Sequence, residues 1–189
     1  YITRAEFAAI AARFELNGNT TEADFSDIYT HWAKKEISIA ANNGWIRGYE
    51  DGSFRQDDTI TRGAFAGILD RFLHYQVEAA PDTFSDTAGD YWESPILKLN
   101  AAGVYLGNNG KALVYHDITR QQAVTMIARA FALGETEGDI PYDDAGDVAY
   151  YAKGYLVTML KNGWLNDMGE SRLLRPNEPI TRAEVVNIL

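Results

Sequence analysis

The sequence predicts a mainly helical protein built from three tandem helix-loop-helix units that follow the last helix of an incomplete one. The chain has 189 residues, and the tripeptide Ile-Thr-Arg occurs in it four times, starting at Ile2, Ile60, Ile118 and Ile180. Two further markers recur in one order between these copies. The first is Phe25-Ser26-Asp27, Phe84-Ser85-Asp86 and Tyr142-Asp143-Asp144, and the second is Asn43-Gly44-Trp45, Ala102-Gly103-Val104 and Asn162-Gly163-Trp164. Markers that keep one order and nearly one period indicate a tandem repeat.

The markers also set the expected boundaries of the units. We expect the terminal helix of a preceding repeat plus a linker over residues 1–24, and repeats over residues 25–83, 84–141 and 142–189, the last of them truncated. A single helix pair cannot bury its own apolar face, so stacked neighbours must complete the core. All the segments are therefore expected to form one compact unit.

The first helix of each unit is predicted by an apolar stripe that ends at a glycine. In the first unit Ile37, Ala40 and Ala41 are spaced i, i+3, i+4, which is one face of an amphipathic helix. The glycine that follows, Gly44, precedes a tryptophan and fits a left-handed C-cap with its hydrophobic contact. The helix is expected to end there.

A loop and a second helix complete each unit. In the first unit the stretch 47–54 contains Asp51 followed by glycine, which predicts a tight turn or a short hairpin. The second helix is predicted to start at the threonine of Ile-Thr-Arg. In the last copy Thr181 and Glu184 form an S/T-x-x-E capping box. An arginine near the far end of this helix is interpreted as structural, since a cation there suits the helix dipole; these residues are Arg13, Arg71 and Arg129.

Composition excludes several classes of protein. With 46% hydrophobic and 12% aromatic residues the chain can bury a core, so disorder is not expected. No apolar run approaches the roughly 18 residues of a membrane span, and 27 acidic against 17 basic residues give a net charge of -10 that disfavours nucleic-acid binding. There is no cysteine, no catalytic or phosphate-loop motif, and no EF-hand series in the loop 51–58. We expect no enzyme activity, cofactor, metal site, nucleic-acid partner or membrane insertion.

Five motifs of the first unit together resemble the S-layer homology domains of bacterial surface proteins. They are Phe25-Ser26-Asp27, His31-Trp32-Ala33, Gly44-Trp45-Ile46, residues 48–54, and Ile60-Thr61-Arg62. The resemblance covers essentially the whole chain and implies one intertwined pseudo-threefold helical bundle with projecting prongs, a monomeric pseudo-trimer. It also implies an extracellular place at a Gram-positive cell wall, in the S-layer. The implied function is non-covalent anchoring to a secondary cell-wall polysaccharide, often with a ketal-pyruvylated N-acetylmannosamine, held in grooves between repeats.

The resemblance ties this binding to the Thr-Arg-Ala-Glu segment, and the chemistry of that segment suits an anionic sugar. An arginine at the first helical position offers a charged, planar donor fork for a carboxylate. The helix N-terminus adds unpaired backbone N–H groups, and a Trp or Tyr could cover the apolar face of a sugar ring. The candidate binding residues are Arg4, Arg62, Arg120, Arg182, Glu6, Glu184, Trp32, Trp92, Tyr49, Tyr105, Gly48, Asp27 and Asp86.

Each candidate also has a structural interpretation. The arginines can bridge neighbouring repeats, the tryptophans can be core anchors, and the aspartates can form a turn before the first helix. The units also depart from the pattern, because Gly63 follows Arg62, Gln122 replaces the capping glutamate, and the third unit has Tyr151 in place of the tryptophan. At most two grooves are therefore expected to be competent. The alternative function is a scaffold or protein-interaction module that has lost the polysaccharide.

Overall fold

The computed structural model describes residues 21–76, 78, 83–165 and 172–188. The helices are α1 Lys34–Asn42, α2 Arg62–Leu73, α3 Glu93–Ala101, α4 Arg120–Ala130, α5 Tyr150–Lys161 and α6 Arg182–Ile188, with a 3-10 turn at Ala145–Asp147. Within these ranges no β-strand forms, and the loops meet in isolated bridges such as that between Thr59 and Thr181. The mainly helical class is confirmed. Residues 1–20, which hold most of the predicted leading helix and linker, lie outside the described residues.

The first helices end as their glycines predict. Gly44 has φ +73°, and its N–H donates to the carbonyl of Ala41 while the N–H of Trp45 donates to Ala40. This pair of hydrogen bonds is the Schellman motif, which needs a left-handed residue that glycine adopts without strain. The same pattern ends α3 at Gly103 and α5 at Gly163. The predicted tight turn also forms, because the N–H of Gly52 donates to Tyr49.

The second helices begin at the predicted threonines. The hydroxyl of Thr61 accepts from the N–H of Ala64, three residues on. At Thr119 and Thr181 the capping box is complete, because the side chains of Gln122 and Glu184 also accept from the threonine N–H. Glutamine therefore closes the box as glutamate does, and among the three copies that the structure describes only Ala64 leaves it half made.

Three of the four isoleucines of the recurring tripeptide, Ile60, Ile118 and Ile180, meet in the structure. The N–H of Ile60 donates to the carbonyl of Ile180, that of Ile180 to Ile118, and that of Ile118 back to Ile60, at 2.9 to 3.2 Å. All three side chains are buried. Three equivalent residues thus close a ring of backbone hydrogen bonds, which is possible because each copy presents the same extended backbone to the next.

The units interlock around this ring. Each first helix packs on the second helix of another unit. The pairs are α3 on α2, α5 on α4, and, closing the circle from the first unit to the third, α1 on α6. The contact between α1 and α6 joins the start of the described chain to its end, so the units form a closed pseudo-threefold bundle around one core. The expected intertwined architecture is confirmed. Across the described ranges, no helix is both long and apolar enough to cross a membrane.

Candidate functional site

A groove of about 480 Å³ opens where the three units meet. It is lined by residues of α4, by the loop at residues 104–108 and by Tyr151 of α5. Among its polar side chains, Arg62, Gln122, Arg129 and Tyr151 come from three different units. The side chains of His116 and Asp117 line it as well. The groove therefore exists only when the units are assembled.

Arg62 occupies the first position of α2 and is buried, with 8% of its surface exposed. Its Nε donates to the carbonyl of Ala112 at 2.9 Å, and its Nη1 donates to Oε1 of Gln122 at 3.2 Å. Its guanidinium lies over the ring of Tyr105, 4.9 Å from the centroid, a favourable cation–π distance. Arg62 thus joins the first unit to the second while it lines the groove.

The other two motif arginines of the described chain repeat this bridge. Nε of Arg120 donates to Leu174 at 3.1 Å, and Nε of Arg182 donates to Phe54 at 2.9 Å. Both side chains are buried, and burial is the main cause that lowers the pKa of Arg182. These arginines therefore bridge the repeats. Of the three, Arg120 does so by a salt bridge, with Glu184, whereas Arg62 and Arg182 do so by hydrogen bonds to carbonyl groups. Arg62 lines the groove as well. Arg4 and Glu6 lie outside the described residues.

The helix N-termini are less open than the sequence suggests. The N–H groups of Arg62 and Gly63 donate to the carbonyls of His116 and Val114, both at 2.9 Å. Equivalent pairs cap the other second helices: Arg120 to Glu178 and Gln121 to Pro176, and Arg182 to Asp58 and Ala183 to Gln56. The expectation of unpaired backbone N–H groups is therefore wrong, because the loop of the next unit takes them. An anion here must be bound by side chains.

Tyr151 and Arg129 supply polar groups that the sequence analysis did not select. The pKa of the half-exposed Tyr151 is raised, mainly because its phenol is partly buried. A hydrogen bond with Gln122 and the charges of Arg62 and Arg129 act in the opposite direction and lower this pKa. Arg62, Arg129 and Tyr151 all line the groove. The guanidinium of Arg129 lies over the ring of Tyr155, 5.3 Å from its centroid, and donates no hydrogen bond to the residues that the structure describes. The recurrence of this arginine was the signal that could have identified it.

The two tryptophans of the first helices have different environments. Trp32 is 59% exposed. Trp92 is the N-cap of α3, and its indole packs on Gly63 and Gly67 of α2. Trp92 is the N-cap of its helix, whereas the N-cap of α1 is Ala33. Trp32 therefore lies one residue before the position that is equivalent to Trp92. Trp92 is an anchor between units, and Trp32 keeps an exposed ring.

Gly48 and Tyr49 belong to the loop of the first unit. A Cβ at Gly48 would clash with the ring of Phe25 and with the carbonyl of Ser53, which explains the glycine structurally. Tyr49 is partly exposed and lies between Arg55 and Arg182, with distances of 3.9 and 5.1 Å from its ring centroid. This ring is therefore held by two cations rather than free to move.

The aspartates of the first marker clamp the loops. Both carboxylate oxygens of Asp27 accept backbone N–H groups, from Phe54 and Arg55, each at 2.8 Å. Asp86 holds Ala112 and Leu113 in the same way, and Asp144 holds Leu174 and Arg175. In each clamp the second loop residue has a positive φ, of 54° to 59°, which is costly for a residue with a Cβ. These contacts reach 27 residues along the chain from Asp27 and 26 from Asp86, so the aspartates have a structural role that differs from the predicted turn before the first helix.

Two of the three units are similar to a known domain family. Two segments of this chain match the S-layer homology domain. The matched residues are 24–66 and 141–186. Similar proteins are cell surface glycoprotein 1 of Acetivibrio thermocellus, 32% identical over 82% of this chain, and the surface-layer 125 kDa protein of Lysinibacillus sphaericus, 30% identical over 93%. A third is exoglucanase XynX of Acetivibrio thermocellus, 28% identical over 87%.

The S-layer homology matches span the loop clamp and motif arginine of the first and third units. The first match holds Asp27 and Arg62, and the second holds Asp144 and Arg182. The chain covers only 8%, 14% and 16% of the three relatives named above. The similarity to an exoglucanase is therefore confined to a small part of that enzyme, and an S-layer homology segment is an anchoring module rather than a catalytic one.

Proposed function

We propose that this chain anchors a bacterial surface protein to the cell wall without a covalent bond, by binding an anionic secondary cell-wall polysaccharide. The proposal extends S-layer homology to the middle unit as well, so that residues 25–83, 84–141 and 142–189 are three repeats. It is supported by Asp86 and Arg120, which make the same clamp and bridge as their counterparts in the matched segments. S-layer homology and relatives named as surface proteins place the chain at the cell surface.

The observation that carries the proposal is the groove that Arg62, Arg129 and Tyr151 line together. A pyruvate ketal presents a carboxylate on a sugar, and hydrogen bonds between arginine and a carboxylate are charge-assisted. Arg129 has donors that the described protein does not use, and the ring of Tyr151 can pack on an apolar sugar face. The ligand we propose is a pyruvylated amino sugar of the wall polymer.

The net charge of -10 requires recognition at short range. An acidic chain and an acidic polymer repel each other at a distance, but salt screens this repulsion over roughly 8 to 10 Å near physiological ionic strength. Two arginines in a partly enclosed groove act inside that distance. Binding is therefore specific to the groove rather than a general electrostatic attraction.

Co-sedimentation with Gram-positive wall sacculi tests the proposal. The purified chain is expected to sediment with intact sacculi and to stay in solution once the secondary polysaccharide has been stripped chemically. Arg129→Gln and Tyr151→Ala should weaken sedimentation, whereas Arg172→Gln removes one positive charge at an exposed ion pair and should not. Equal sedimentation with stripped and intact sacculi contradicts the proposal and favours the scaffold alternative.

A further inference from the structure

The three junctions between units carry a different side chain at the third residue of the second helix. This residue faces the motif arginine of the unit before it. Arg62 donates to Gln122 at 3.2 Å, and Arg120 donates to Glu184. The equivalent residue for Arg182 is Ala64, which has no acceptor, and Nη2 of Arg182 donates to the carbonyl of Arg47 at 2.7 Å instead. The chain therefore contains a carboxylate, an amide and a methyl group at equivalent places.

This difference decides the charge of each junction. Arg120 and Glu184 are largely buried, with side chains 6% and 27% exposed, and they form an internal ion pair. The other oxygen of Glu184 accepts from the N–H of Thr181 at 2.9 Å, so both oxygens are used. Arg62 and Arg182 face no carboxylate at the corresponding position, and their charge is not neutralised there.

Gln122 also offers a hydrogen-bond donor where a glutamate would offer a second acceptor. Its Oε1 accepts both from Arg62 and from the N–H of Thr119, each at 3.2 Å. The amide group that remains is Nε2, a donor, in a side chain that lines the groove next to Tyr151. A glutamate would instead place a negative charge beside Arg62 and repel a second carboxylate.

We infer that the third residue of each second helix determines which junctions accept the carboxylate of the ligand: Gln122 and Ala64 leave Arg62 and Arg182 available, and Glu184 occupies Arg120. The inference rests on the proposed function. An arginine that already holds a carboxylate gains little from another one, because the incoming anion must displace the first or lie beside it. The groove of Arg62 is the primary site, and the junction of Arg182 is the second.

The test is the double variant Gln122→Glu/Ala64→Glu in the full chain. Gln122→Glu keeps the capping box at Thr119, and Ala64→Glu can complete the one at Thr61. Each glutamate is designed to reproduce the Arg120–Glu184 pair, so the variant should melt at or above the wild-type temperature. Its affinity for intact sacculi is expected to fall by about tenfold or more, the scale of one lost charge-assisted hydrogen bond. The control Gln76→Glu/Arg172→Gln makes the same change in net charge at exposed residues and should bind as wild type does.

A second variant, Glu184→Gln, tests the inference in the opposite direction and does not depend on the folding of the double variant. Glu184→Gln keeps the capping box and frees Arg120, so calorimetry with the methyl glycoside of pyruvylated N-acetylmannosamine should show a higher stoichiometry than the wild type. Wild-type sedimentation together with equal affinity of the double variant overturns the inference while leaving the proposed function in place. If the wild type itself does not sediment with intact sacculi, the proposed function fails and the inference fails with it.

Discussion

The indole of Trp92 occupies the space that a side chain at Gly63 would need. A Cβ built on Gly63 would lie 2.7 Å from Cδ1 of Trp92, and one on Gly67 would also clash with this ring. The sequence departs from Thr-Arg-Ala-Glu at Gly63, and the departure is matched by a large side chain on the neighbouring unit. The loss of the motif alanine is therefore a packing adjustment between α2 and α3.

This relationship predicts a coupled effect of substitutions. Gly63→Ala is expected to reduce the free energy of unfolding by about 1 to 3 kcal/mol, because the indole must move in a filled interface. In a Trp92→Ala background the same change should cost less, although the contact of the new Cβ with Cγ1 of Val114, at 2.8 Å, then remains. Chemical denaturation of the four proteins of the cycle measures this coupling. Gly134→Ala, where a Cβ meets nothing within 4 Å, serves as the control. Additive costs would contradict the steric explanation.

The loop clamps predict a contrast between two adjacent aspartates. Asp144→Ala removes both acceptors for the N–H groups of Leu174 and Arg175 and should destabilise the protein by about 1 to 3 kcal/mol. Asp143→Ala breaks only an exposed ion pair with Arg172, which is worth about 1 kcal/mol at most. Urea denaturation followed by circular dichroism compares the two. Similar losses for both variants would show that Asp144 is not a clamp.

Acid should weaken the clamp of the middle unit. Burial alone would raise the pKa of Asp86, but the N–H groups of Ala112 and Leu113 and the charge of Lys111 bring it below its usual value. Because the folded-state pKa is lower than the unfolded one, near 3.9, the stabilisation is complete above that value and is lost as the pH falls through the folded pKa. Asp86→Asn should therefore flatten the stability profile at acid pH. Parallel profiles for variant and wild type would refute this.

The buried ion pair of Arg120 and Glu184 predicts that removing one partner destabilises the protein more than replacing both. Arg120→Ala leaves Glu184 partly buried without its partner and should cost about 3 to 5 kcal/mol. Arg120→Met combined with Glu184→Gln keeps the volume and the capping box without leaving a charge, so its cost should be smaller. Thermal unfolding of both variants measures the difference. A double variant as unstable as Arg120→Ala would mean that packing, rather than charge, dominates this junction.

Much of the candidate site could be predicted because its residues belong to the repeat. Arg62, Arg120 and Arg182 follow from a tripeptide that recurs, and their two possible roles, binding and bridging, were both apparent. Tyr151 and Gln122 were noted only as departures from the pattern. Their importance arises from a groove that combines Arg62 of one unit, Gln122 of the next and Tyr151 of the third, and a comparison along the chain does not reveal which residues of different units meet.

Local interactions explain what the sequence alone determined about this protein. The helices, their threonine N-caps, their glycine C-caps and the number of units depend on residues a few positions apart, so periodicity and capping predict them. Only the tertiary structure decided that the three isoleucines close a ring, that α1 packs on α6, and that the loop carbonyls take the N–H groups of the next helix. These contacts join residues far apart in the chain. The resulting burial and charge at Arg62, Arg120 and Arg182 depend on what the neighbouring unit places opposite them.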